Sequence, residues 1–154
     1  MRRISIWFLF CLGLAFANGA LAGSSRVLKV LPQYLDLYGR TSISPSLYDR
    51  DAYQHVLSQH PDQRYGLRFA VQWKTKGVIW GDLKLLVECR GVAQGNLPSQ
   101  FVIERTVHPD WWFTTWTKVD VTGDPYNKLG EVTAWRVSLW QDNTLISEQK
   151  SFLW

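Results

Sequence analysis

At 154 residues, with 17 Lys+Arg against 13 Asp+Glu and a formal net charge of +4, the chain has the length of one domain. An apolar fraction of 46% with nine Trp excludes a disordered polymer, and two cysteines exclude a disulfide-stapled scaffold. The charges are interspersed without a run of like sign, which argues against nucleic acid and against an anionic membrane surface as partners.

Arg2 and Arg3 form a positive n-region, Ile6 to Ala17 a nearly unbroken apolar run, and Ala20-Leu21-Ala22 a small-residue cleavage motif before Gly23. This order reads as a secretory signal over residues 1–22, followed by a single domain over 23–154. Ala15-Phe16-Ala17 offers a second small-x-small site. The competing reading is an uncleaved anchor, because Ile4 to Ala22 approaches the ~20 residues that span a bilayer; Asn18, Gly19 and the paired alanine sites favour cleavage. Cys11 follows bulky Leu9-Phe10 inside the apolar run, unlike a lipoprotein cysteine, and no integral membrane segment is expected after the signal. Cleavage leaves 15 basic and 13 acidic residues, a net of +2. It also leaves Cys89 without a partner, so an exported domain has to hold by packing alone.

Val27 to Leu35 reads as a first strand, and Pro32 assigns it to a sheet edge. Ser46 with Asp49 three residues on resembles a capping box. Tyr48, Ala52, Val56 and Leu57 fall on one helical face until Pro61, which predicts one short helix from Leu47 to Gln59, lying across the sandwich. From Tyr65 onward the apolar period is two, with turn signals every 8 to 12 residues. Leu67, Phe69, Val71 and Trp73 alternate with Arg68, Ala70, Gln72 and Lys74. Val78-Ile79-Trp80 starts the next strand, Gly81-Asp82 suggests a bulge, and Leu83, Leu85, Val87 and Cys89 continue it. Gly91 to Pro98 reads as a loop, Phe101 to Val107 as a strand ended by Pro109, and Trp111 to Val121 as another. Gly123 to Gly130 reads as a second long loop. Val132 to Trp140 and Leu145 to Trp154 flank Gln141-Asp142-Asn143-Thr144 as a hairpin.

About seven short strands with one helix between the first two look like an all-β immunoglobulin-like or fibronectin-like antiparallel sandwich, a resemblance of architecture that rests on no motif. The Cys…Trp…Cys spacing of antibody-type domains is missing.

Candidate chemistry is sparse. His55 and His60 lie about 140° apart around a helix at 3.6 residues per turn, His108 sits in a turn, and no metal-ligand motif occurs, so neither metal nor cofactor is expected. No G-x-S-x-G is present, and Cys89 lies on an apolar strand stripe, as a buried thiol would. Asp49, Arg50 and Asp51 read as helix-start charges and not as an acid and base pair. The aromatic surplus stands out. Strand alternation in Trp111-Trp112-Phe113-Thr114-Thr115-Trp116 puts Trp112 and Trp116 with Lys118 and Asp120 on the outer face, roughly 13 to 14 Å apart at ~3.4 Å per residue. The end of the chain, Ser151 to Trp154, reads as a last strand whose tip enters the core, because Glu148 and Lys150 interrupt the outward apolar pattern of a membrane barrel. The expectation is a non-enzymatic domain, periplasmic or extracellular, that binds another exported protein or takes part in an envelope or surface assembly. The alternative is a carbohydrate-binding module in which Trp112 and Trp116, with Trp80 or Tyr126 from adjacent loops, stack on a glycan. No Asn-x-Ser/Thr acceptor occurs, which favours a bacterial export route.

Overall fold

A computed structural model of the chain describes residues 25–75, 81–109 and 114–154. The signal reading, Val78-Ile79-Trp80, Trp111, Trp112 and Phe113 lie outside those residues. The described residues form seven strands: β1 (Arg26–Asp36), β2 (Arg64–Lys74), β3 (Leu83–Ala93), β4 (Leu97–Val107), β5 (Thr115–Thr122), β6 (Glu131–Gln141) and β7 (Thr144–Lys150). They pair into two antiparallel sheets, β1-β2-β5 and β4-β3-β6-β7. Helix α1 (Leu47–Gln59) fills the interval between β1 and β2, and a second helix, α2 (Asp124–Leu129), joins β5 to β6.

The period-two pattern explains the core directly. Phe69, Val71 and Trp73 from β2 and Leu85, Val87, Val137 and Leu139 from β3 and β6 are all buried in one cluster between the sheets. Each such side chain contributes roughly 1.5–3 kcal/mol by leaving water. Trp73 adds bulk without a polar penalty, because its indole N–H donates to Thr117 Oγ1 at 2.9 Å. Cys89 is a free, buried member of the same cluster. Burial, and then the Glu88 carboxylate, push its thiol up to about 12, so it packs as a small hydrophobe and not as a nucleophile.

Three local expectations change. Gly91 stays inside β3, and only Gln94–Asn96 turns the chain. A Cβ at Gly91 would stand 2.7 Å from the Leu129 carbonyl oxygen, so glycine there permits a close crossing rather than a loop. The segment after Gly123 is helical because Pro125 sits in its first turn, Gly130 at φ +70° ends it, and Leu129 is buried. Gly81-Asp82 lies in a bend ahead of β3, where Asp142 N–H donates to the Asp82 carbonyl at 3.0 Å; the strand residues before it, on which the bulge reading depends, lie outside the described residues. The chain end does not enter the core: β7 stops at Lys150 and Phe152 is fully exposed. Ser151 causes the stop by accepting from Trp135 N–H through its hydroxyl (3.0 Å) and donating its own N–H to the Trp135 carbonyl (2.9 Å).

The fourth difference concerns α1. Ser46 caps it as expected, its hydroxyl accepting from Asp49 N–H at 3.4 Å. Yet Tyr48, Ala52 and Val56 face solvent and Leu57 alone is buried. The helix is rotated because its inner face carries Tyr53 and Gln54, which are tied to β1 by hydrogen bonds.

Candidate functional site

Trp116 lies on the outer face of the three-stranded sheet, 47% exposed, beside Gln72 of β2. Val119 and Val121 take the inner positions of the same strand, and Asp120 receives two 2.7 Å hydrogen bonds from Arg68 on the outer face. Its expected companions Trp112 and Trp80 lie outside the described residues. Tyr126 belongs to a different place. It sits on α2, half-buried against the core and bonded to Arg64. Eight residues of β2, roughly 27 Å at ~3.4 Å per residue, separate Arg64 from the strand position facing Trp116. The two residues do not share a site.

Tyr126 instead joins a polar knot at the other end of the sheets. The Arg64 side chain is 4% exposed and donates to the Leu57 carbonyl (2.5 Å), to the Ser58 carbonyl, and to Glu131 (2.9 Å), while its guanidinium stacks 4.0 Å over the Tyr34 ring. Tyr34 donates its hydroxyl to the other Glu131 oxygen at 3.0 Å. Burial, followed by the Glu131 charge, raises Tyr34 to about 12, so it stays a neutral donor near pH 7. The arginine thereby satisfies carbonyls at the C-terminal end of α1 and clamps the helix to β6.

Beside it, Pro32, Tyr34, Leu67, Val132 and Trp135 wall a cleft of about 430 Å³ between β1 and β6, with Gln54 and His55 at its rim. The cleft exists because β7 pairs with β6 only from Arg136 onward. The strand edges that face it are occupied. The Gln54 carboxamide accepts from Tyr34 N–H (2.7 Å) and donates to the Tyr34 and Thr41 carbonyls (2.9 and 2.8 Å). Ser151 takes the corresponding groups of Trp135. Added strands are thus discouraged at both edges.

The third feature is the connection from β1 to α1. Leu37, Tyr38, Ile43, Leu47 and Tyr48 are between 63 and 82% exposed. The backbone that presents them is built, not loose. Buried Asp36 accepts from Tyr38 N–H, Arg40 N–H and the Tyr53 hydroxyl, each at 2.8 Å, and from Arg40 Nε at 2.9 Å. Burial alone would raise the Asp36 carboxyl, but the Arg40 N–H, Tyr53 and the Arg40 guanidinium outweigh it and hold it below the usual carboxylate range. Gly39 at φ +74° makes the tight turn that lets its N–H donate to the Asp36 carbonyl at 2.9 Å. Ser42 and Ser44 tie the rest of the loop into hydroxyl–backbone turns. The outward face of α1, with Tyr48, Ala52 and Val56 at successive turns, lies next along the chain. The sequence placed Tyr48, Ala52 and Val56 on one helical face, and the structure turns that face to solvent.

Among the described residues, no group of three His, Cys, Asp or Glu side chains gathers to hold a metal ion, and no helix is long and apolar enough to cross a membrane. No protein family, curated protein or solved structure matches the chain.

Proposed function

We propose that this chain is an exported, non-enzymatic domain of fibronectin-like or immunoglobulin-like form, and that it docks another exported protein through the β1–α1 loop and the outer face of α1. The form is supported by the strand order: the fourth strand pairs with the third, giving three strands over four, whereas constant-type immunoglobulin domains place it in the first sheet. Export rests on the Arg2-Arg3, Ile6 to Ala17 and Ala20-Leu21-Ala22 pattern.

The observation that carries the docking reading is the exposure of Leu37, Tyr38 and Ile43 on a loop held in one shape by hydrogen bonds, with exposed Leu47 and Tyr48 following in the first turn of α1. Scattered apolar residues on a surface mean little, but a run of them on preorganised backbone lowers the ordering cost of binding. The partner's matching chemistry is an apolar protein surface. Arg40 is paired with Asp36 and Arg50 with Asp51, and the exposed carboxylate of Asp51 gives no attraction to anionic lipid headgroups.

A photo-reactive residue placed at Tyr48 in the producing cell tests this. The expected result is one discrete protein adduct, absent from a Leu37→Ser/Ile43→Ser variant and from a probe placed at Gln100. An adduct with a second copy of the chain, with lipid, or with nothing would overturn the reading.

A further inference from the structure

The outer face of the four-stranded sheet carries a second, independent feature. Lys84 and Leu86 of β3, Glu104 of β4, Trp140 of β6 and Asp142 and Asn143 of the β6–β7 turn surround a shallow concavity of about 230 Å³. We infer that this concavity is a glycan subsite in which one neutral pyranose ring stacks on Trp140 and hydrogen-bonds to Asp142 and Asn143.

The placement follows from register. Lys84 faces Trp140 across the β3–β6 ladder, and Leu86 faces Glu104 across β3–β4, so these side chains lie on one solvent face. The indole N–H of Trp140 donates to Ser138 Oγ at 2.8 Å, two residues back on the same face. That bond occupies the indole N–H, so what the half-buried Trp140 offers to the concavity it lines is the apolar part of the ring. A sugar ring presents the complement, an apolar C–H face with hydroxyls at its edge. Trp154 lies over the same sheet and shows the contrast, for its ring is stacked by the guanidiniums of Arg90 and Arg136 at 4.0 and 4.9 Å.

The polar rim supplies both donor and acceptor. Asp142 takes φ +50° in the turn, and its carboxylate lies against Gly81, where a Cβ would come within 2.5 Å of it, and accepts from Asp82 N–H at 3.3 Å. Oδ1 of Asp142 is held by that bond, and Oδ2 lies closest to Gly81, so a hydroxyl donates to Oδ2 from the side turned away from Gly81. Asn143 contributes an amide that both donates and accepts. The Lys84–Glu104 pair, 2.9 Å apart, closes the far wall as a neutral unit, which suits an uncharged ligand. The volume lies below the ~300 Å³ at which pockets for larger ligands begin, so the site takes one ring of a chain and not a whole oligosaccharide.

The test follows the Trp140 indole resonance by ¹H–¹⁵N NMR while maltotriose, cellotriose, mannotriose or chitotriose is added at millimolar concentration. At least one should shift that resonance saturably and leave Trp116 unmoved. Trp140→Ala should abolish the binding, read on the backbone amides of Asp142 and Asn143, and Asn143→Ala, a change in an exposed turn, should weaken it about tenfold. A Trp140 resonance unmoved by all four sugars, equal affinity in Asn143→Ala, or a shift at Trp116 in its place would overturn the inference. None of these outcomes bears on the cross-linking at Tyr48, which probes α1 and the loop before it and not the four-stranded sheet.

Discussion

Helix α2 buries Leu129 in the core within six residues, whereas α1 runs for thirteen and buries only Leu57. The short helix is held as an amphipathic segment ordinarily is, by an apolar side chain. The long one is held by polar, directional ties: Tyr53 to Asp36, Gln54 to Tyr34 and Thr41, and Arg64 to the carbonyls of Leu57 and Ser58. Once attachment is polar, the apolar stripe of Tyr48, Ala52 and Val56 is free to face outward. The difference teaches that an apolar helical face marks what a helix can bind, and the polar residues beside it decide whether that is its own core.

The contrast is sharpest in the sheets. Phe69 is fully buried and meets Trp135 edge-on at 6.3 Å. Phe69→Ala should lower unfolding free energy by about 3–5 kcal/mol, the range for a large aromatic removed from a packed core. Urea unfolding followed by tryptophan fluorescence would measure it. A loss below about 1 kcal/mol would mean that the two sheets do not share the core described.

Asp36→Ala tests the polar attachment. It leaves the Tyr38 and Arg40 N–H groups and the Tyr53 hydroxyl without their acceptor and should cost about 1–3 kcal/mol. The effect should depend on pH with a definite sign. The folded-state carboxyl is held below its ordinary value, so its contribution is present above the unfolded value of about 3.9 and is lost as pH falls through the lower folded value. Urea melts at neutral pH should therefore separate wild type from variant, and melts in strong acid should bring them together. A gap that persists in acid would show that Asp36 acts through packing and not through charge.

Gln54→Ala should have a smaller effect, about 1 kcal/mol, because water can replace the lost partners of Tyr34 at a half-exposed edge. Its other consequence is an uncovered strand edge: with the carboxamide gone, β1 offers unpaired groups to a neighbouring chain. Light scattering on heating should rise earlier than in wild type. Unchanged scattering would show that the β1 edge is protected by something other than Gln54.

Much of the sandwich was legible because burial on a strand is a local, period-two signal. Leu67, Phe69, Val71 and Trp73 read inward and are inward, and the face of Trp116 follows from Val119 and Val121. The bounds of α1 were legible from Ser46 and Pro61. Its orientation was not, since it depends on the pairing of Gln54 with Tyr34, twenty residues earlier. Gly91 misled for a similar reason. It reads as a turn glycine, but its missing Cβ makes room for Leu129 and Glu131, which arrive from the far side of the sequence. The Tyr34–Arg64–Glu131 knot joins three distant segments by hydrogen bonds, and no spacing or motif in a single chain announces such a set.

The smallest stability effect is expected where the apolar pattern is clearest. Tyr48 and Val56 lie on the outward face of α1, 82 and 44% exposed, so a Tyr48→Ser/Val56→Ser double variant removes little buried area. Neither change alters helix propensity appreciably, because Tyr, Val and Ser rank close together. Unfolding free energy should stay within about 0.5 kcal/mol of wild type, as for surface substitutions generally. The same variant should lose the partner adduct formed from a photo-reactive residue at Ile43. Stability retained with docking lost would assign the stripe to a partner. A loss of 2 kcal/mol or more in the isolated protein would instead assign it to the chain's own packing, and the two helices would then be attached in the same way after all.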